Sequence, residues 1–221
     1  MRDHLTFFQQ FRQRFKTTGA VAPSSRFLAS AMTGPMKKTL READAPPQRI
    51  LEIGPGTGAV TRSIVKLVRP VDRFDLVELN ETFVNLLNQR FESHRDYQKV
   101  KQQSQVHMLP LQEFAAEKPY DFIISGLPLN NFSTELVREI FECYFRLLAP
   151  GGTLSYFEYM YVRSIRKRVG SREEKLRMRS LDEIITPYLN EHRIYQSWVF
   201  VNLPPAWVQH LKVEDREPTE N

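Results

Sequence analysis

Pro46-Pro47 divides the chain, and beyond it apolar and polar positions alternate in two different periods. Ile50–Ile53 is a short apolar run ending in glycines, which reads as a buried strand entering a tight turn. Helical spacing follows from Thr57 to Val68. The cycle then repeats, with a strand over Arg73–Leu79 and a helix over Thr82–Phe91 carrying Phe83, Leu86 and Leu87. "QVHML" is a weaker strand and "DFIISGL" a strong one. Thr134–Leu148 is an amphipathic helix stopped by "APGG", and "GTLSYFEYM" is the fifth strand. After a basic helical stretch, "RIYQSWVFVN" and "AWVQHLKV" flank "LPP" as a hairpin. Strands alternating with helices and closing on a hairpin predict an α/β fold. The expected sheet is mostly parallel and seven-stranded, with an antiparallel C-terminal strand. Residues 1–45 form an N-terminal helical extension and 46–221 the main domain, with a basic helical insertion at about 160–190.

At 221 residues and 41% apolar content, the chain can bury a core without staples. It has no run of about 18 apolar residues, so no membrane span is expected, and no signal-peptide pattern opens it. The single cysteine, Cys143, lies in a helical pattern and reads as a small buried hydrophobe. These features predict a cytoplasmic protein. His4, His94, His107, His192 and His210 have no ligand spacing, so no metal is expected. Basic residues outnumber acidic ones by 31 to 26 and crowd Arg12–Arg26 and Arg163–Arg179. Such patches suit a polyanion, either nucleic acid or an anionic membrane face, or they are solvated helix faces.

The chemistry centres on "LEIGPGTGAV". Gly54, Gly56 and Gly58 follow a strand directly, where a missing Cβ lets backbone approach a ligand. Glu78, at the end of the next strand, suits the two hydroxyls of a ribose. Two cofactor classes fit this geometry. A dinucleotide fingerprint would use Gly54, Gly56 and Ala59. Glu52, however, would repel a pyrophosphate and would favour a ligand that carries an ammonium group. S-adenosylmethionine has an amino-acid tail and no phosphate.

The pattern Glu-x-Gly-x-Gly-x-Gly, then Glu78, then "LAPGG" resembles the Rossmann-like class I methyltransferases. "TTGAVAPSSRFLASAM", "LEIGPGTGAVT", "VELN", "SGLPL" and "NLPPAWV" are together similar to the bacterial phospholipid N-methyltransferases. That family methylates phosphatidylethanolamine stepwise towards phosphatidylcholine. The resemblance covers roughly Phe8 to Pro150 and resumes at "NLPPA". It implies that S-adenosylmethionine is the cofactor and S-adenosylhomocysteine the product. Glu52 and the backbone at Gly54, Gly56 and Gly58 would hold the methionine part, and Glu78 the ribose. Leu79 with Leu109, Pro110 and Leu111 would enclose the adenine. Ser24 and Ser25 would close over the site, and Ser125 would border both cofactor and acceptor. The stretch between Tyr159 and Tyr188 is longer and more basic than in that family, which admits an ornithine-lipid headgroup as the alternative substrate.

A lipid substrate gives the N-terminus a role. Leu5, Phe8, Phe11 and Phe15 share one helical face flanked by Arg14 and Lys16, a pattern that can lie in the headgroup plane or pack on the core. The expected partners are an anionic membrane surface and an amine-bearing lipid, with no nucleic acid and no obligate protein partner. The expected location is the inner face of the cell membrane, held peripherally. Carbonyls near Ser125 and Gly126 would orient the amine. Glu158, Tyr159 and Tyr161 are candidates for a general base or a cage around the growing cation, or simply strand residues. Trp198 and Trp207 read as packing residues. Two other functions remain. One is an RNA methyltransferase of the rRNA adenine dimethylase type, although Gly126 and Leu129 stand where an amide and an aromatic ring would be needed. The other is a non-catalytic lipid-binding module.

Overall fold

The computed structural model describes residues 25–160, 168–202 and 205–215. The N-terminal amphipathic pattern, Ser24 and Tyr161 lie outside the described residues. Two short helices, α1 (Ser25–Met32) and α2 (Gly34–Thr39), lead into β1 (Arg49–Ile53). Then come α3 (Thr61–Ile64), β2 (Arg73–Val77), α4 (Glu81–Ser93), α5 (Arg95–Gln98) and β3 (Ser104–His107). The chain continues through β4 (Tyr120–Ser125), α6 (Thr134–Leu147), β5 (Leu148–Tyr159), α7 (Arg172–His192), β6 (Arg193–Val199) and β7 (Ala206–Lys212). The seven strands form one sheet in the order β3-β2-β1-β4-β5-β7-β6. β1 to β5 are parallel, and β7 runs antiparallel between β5 and β6. This is the predicted α/β architecture, with the C-terminal strand antiparallel as expected and lying between β5 and β6 in the sheet.

The central strands are apolar on both faces because helices cover both. On one face Ile50, Phe74, Leu76 and Ile124 pack with Met32 and Met36 from the N-terminal helices and Leu87 and Phe91 from α4. On the other, Leu51, Ile53, Val77 and Ile123 pack with Val137, Phe141 and Tyr144 of α6 and Leu181 and Ile185 of α7. Caps set where the longer helices begin. Asn80 accepts from Thr82 N–H at 3.0 Å, Ser133 from Leu136 N–H at 3.3 Å and Ser171 from Glu174 N–H at 3.2 Å. The helix expected over Thr57–Val68 shrinks to Thr61–Ile64. Its first turn is lost because Gly58 sits at φ +71°. The β-branched Val60, Thr61, Ile64 and Val65 give it little intrinsic helix preference.

A buried polar knot joins the parallel strands below their carboxyl ends. Asp75 accepts from Arg73 Nη2 and Tyr120 Oη, each at 2.9 Å, and its Oδ1 lies 2.9 Å from His107 Nε2. Burial pushes the Asp75 carboxyl up, but the hydrogen bonds from His107, Arg73 and Tyr120 outweigh it and hold it below its ordinary range. Among the described residues, no helix is long and apolar enough to cross a membrane.

Candidate active site

Strand order reverses between β1 and β4, and the glycine turn sits over that junction, where open α/β sheets usually bind ligands. Gly54 N–H donates to Val77 O at 2.9 Å, and Gly126 N–H donates to Ile53 O at 2.8 Å. The turn is therefore tied to the ends of both neighbouring strands. Gly56 has φ +53°, and a Cβ added there would meet nothing within 4 Å. Gly56 is half-buried, and the space where a side chain would stand is open to a ligand. Gly126 is the reverse case. A Cβ on it would lie 2.6 Å from the Gly54 carbonyl oxygen, so backbone packs against backbone at that position.

Two carboxylates flank the turn. Glu78 is 9% exposed; its Oε2 accepts from Gly56 N–H at 3.0 Å and its Oε1 from Asn80 N–H at 2.8 Å. Burial pushes its pKa up, against the pull of the Asn80, Gly56 and Leu79 N–H groups. A carboxylate carries about four lone-pair sites, so Glu78 can fix the turn and still accept from a diol. Glu52 is 1% exposed, and burial pushes its carboxyl up to about 8. Thr61 offsets that shift in part, yet neither Glu52 Oε2 nor Thr61 Oγ1 has a partner in hydrogen-bond geometry.

The cleft beside the turn is open to solvent and takes in about 420 Å³ of space between atoms, solvent included. Gly54, Glu78, Leu79, Leu109, Pro110 and Leu111 line it together, so residues from three segments of the sequence meet at one slot. Ile53, Val77, Gln112, Leu127, Leu136 and Ile140 complete the walls and were not among the expected site residues. The pair from α6 had a signal: residues four apart on the apolar side of an amphipathic helix share a face. The glycine turn is also braced from behind, where Arg90 Nη1 donates to Thr57 O and Tyr97 Oη lies 3.5 Å from Gly58 O. No local pattern announces that bracing. Glu52 is not among the cleft walls; it leaves β1 one residue from Leu51 and therefore from the opposite face.

Ser25 begins α1. Ser125 is fully buried, its Oγ 2.5 Å from Tyr144 Oη and accepting from Leu127 N–H at 3.3 Å. Its hydroxyl is engaged in the core, which leaves its backbone as the group that can face an acceptor. Glu158 and Tyr159 are consecutive on β5 and so project from opposite faces. Glu158 is buried on the side of α6 and α7, while Tyr159 stacks edge-on against Phe157 at 5.3 Å. A single cage built from both side chains is not formed.

The arrangement can hold an elongated ligand: a flat apolar group in the slot, a diol at Glu78, and a polar end along the glycine turn. Residues 50–152 match a family described as a methyltransferase domain. The ornithine lipid N-methyltransferase of Singulisphaera acidiphila is 30% identical over 161 residues, 72% of this chain and 80% of that protein. Ribosomal RNA small subunit methyltransferase A of Pseudomonas syringae pv. tomato is 28% identical, over 62% of this chain and 47% of that protein. Among solved structures, the N-methyltransferase NodS from Bradyrhizobium japonicum WM9, in complex with S-adenosyl-L-homocysteine, has a TM-score of 0.60. It is 14% identical, and the superposition covers 90% of each chain.

Proposed function

The chain belongs to the class I S-adenosylmethionine-dependent methyltransferases, and from that premise we propose that it methylates the amine of a membrane lipid, with an ornithine-lipid headgroup as the preferred acceptor. The observation that carries this reading is the 30% identity over 80% of a relative that acts on ornithine lipid. Phosphatidylethanolamine, the preference suggested by the sequence motifs, is the second substrate to test. The end of β4 supports an aliphatic amine over a nucleobase. Gly126 has no room for an amide side chain, and Leu129 is buried at 2% exposure, so it offers no ring for a base to stack on.

S-adenosylmethionine, when bound, supplies a sulfonium-activated methyl group and leaves as S-adenosylhomocysteine. The protein's own contribution is mainly placement. Glu78 holds the glycine turn in shape through Gly56 N–H and accepts from the ribose hydroxyls. Leu79, Leu109, Pro110 and Leu111 form the adenine slot, with Leu136 and Ile140 excluding water from behind. Glu52, which leaves β1 on the face opposite the cleft, can act on a cationic group only through the turn that follows it. The carbonyls at Ser125 and Gly126 orient the acceptor amine, which arrives deprotonated, and its remaining proton passes to water. Peripheral attachment to the inner face of the cell membrane belongs to the same proposal.

The test is transfer of a radiolabelled methyl group by the full chain to ornithine-lipid vesicles, phosphatidylethanolamine vesicles and stripped ribosomal RNA. Label in ornithine lipid at the highest kcat/KM is the expected result. Label confined to phosphatidylethanolamine would reassign the headgroup. Label confined to RNA would overturn the lipid reading.

A further inference from the structure

The strands beyond β4 overshoot the cleft. Ser125 pairs with Tyr156 on β5, but β5 continues to Tyr159, which is level with Ala206 of β7 and, through it, Val199 of β6. Three extra residues at about 3.3 Å each lift the β6–β7 tip roughly 10 Å above the cleft floor. β7 lies two strands from β4, about 10 Å to one side. The tip therefore stands beside the acceptor end of the site and above it.

That tip is apolar and uncovered. Trp198 is 57% exposed, Phe200 63% and Val201 60%, and the rings of Trp198 and Phe200 lie 5.5 Å apart. Its own two strands carry no acidic residue, since none occurs between Glu191 and Glu214. α1, which packs against β6 and β7, extends the same character. From Ser25 to Met32 there is again no acidic residue, and Arg26 is exposed. Exposed tryptophan and phenylalanine on strands without acidic residues, beside a helix that carries Arg26, have the chemistry of the lipid headgroup boundary, where an indole finds both apolar and wet surroundings. Each nearby basic residue adds about 1 kcal/mol of attraction to an anionic leaflet.

We propose that the β6–β7 tip, through Trp198, Phe200 and Val201, inserts into the headgroup region of an anionic bilayer and sets the cleft at the depth of a lipid amine. This rests on the lipid-methyltransferase reading for its purpose, but not for its test.

The full chain is mixed with vesicles of phosphatidylglycerol and phosphatidylcholine, neither of which offers an N–H to methylate. Phe200→Glu with Val201→Glu is expected to lower vesicle partitioning about tenfold or more while leaving cofactor affinity and thermal midpoint near wild type. A second variant, Trp207→Phe, leaves Trp198 as the one remaining tryptophan of the two in the chain. Its fluorescence is expected to shift to the blue and to be quenched by brominated phosphatidylcholine. Unchanged partitioning in the double variant, or an unquenched Trp198, would overturn the proposal. So would a vesicle-free dimer that the double variant dissolves, because the tip would then be a protein interface. Methylation of a soluble short-chain lipid amine is measured separately. Its failure with quenching intact would remove the substrate reading and leave the docking surface standing.

Discussion

At one edge of the sheet β3 is four residues long, and its Ser104, Gln105 and His107 leave little apolar surface for another strand to use. At the other edge β6 runs for seven residues, with Ile194, Tyr195 and Trp198 each about half exposed. Proteins usually blunt their edges by shortness, charge or cover, and β3 follows that practice. β6 does not. The same contrast separates the two halves of the molecule. The half holding β1 to β4 turns its polar groups inward: Asp75 is bound by three side chains and Glu78 by two backbone N–H groups. The half holding β5 to β7 keeps its buried histidine uncharged, with burial pushing His210 down to about 4, and presents aromatic surface outward. In the proposed reading, one half holds a small ligand and the other meets a membrane surface. Substitutions in each should therefore act on separate measurements.

The largest effect is expected at Gly126. Gly126→Ala forces a Cβ to within 2.6 Å of the Gly54 carbonyl, and the glycine turn must move. Overpacking of this kind costs about 1–3 kcal/mol, so cofactor affinity by calorimetry should fall up to roughly a hundredfold, with vesicle partitioning unchanged. Equal cofactor affinity would show that the turn is not the ligand's seat.

Glu52 gives the next effect, and its sign follows from its raised pKa. Below the ordinary value of 4.5 the carboxyl is protonated folded or unfolded; between 4.5 and about 8 only the unfolded chain ionises. Stability is therefore fullest at low pH and is lost as pH rises towards 8, by an amount on the order of a few kcal/mol. Glu52→Gln should flatten that decline in thermal melts and raise the midpoint at pH 8. If Glu52 meets a cationic group of the cofactor, wild-type affinity should also climb with pH, by up to about tenfold per unit below 8. Parallel affinity profiles for the two proteins would remove that role.

Glu78→Ala should weaken cofactor binding by about tenfold or more, through lost ribose hydrogen bonds and a released Gly56 N–H. Glu78→Gln should fall between, since an amide keeps one acceptor oxygen. Undiminished affinity in the alanine variant would defeat the ribose assignment. The smallest effect is expected at the exposed edge. Ile194→Lys should change stability by no more than about 0.5 kcal/mol in a chemical melt and leave cofactor affinity alone. A clear loss of cofactor binding there would mean that the two halves are coupled after all.

What could be read from the chain were the features written in short intervals. The period of apolar residues announced each strand and most helices. The spacing of Gly54, Gly56 and Gly58, followed by Glu78 at the next strand end, announced the turn and its carboxylate. Both are local, because a period of two or 3.6 residues and a positive φ are properties of neighbouring residues. The arrested helix after Gly58 shows the limit, since turn chemistry overrode a helical period there. Tertiary structure decided everything that depended on register between distant strands. It brought Gly126 against the Gly54 carbonyl, turned the Ser125 hydroxyl into the core towards Tyr144, and sent Glu158 and Tyr159 to opposite faces. It also raised the β6–β7 tip above the cleft, because strand overshoot is a difference between pairing partners that no single segment contains.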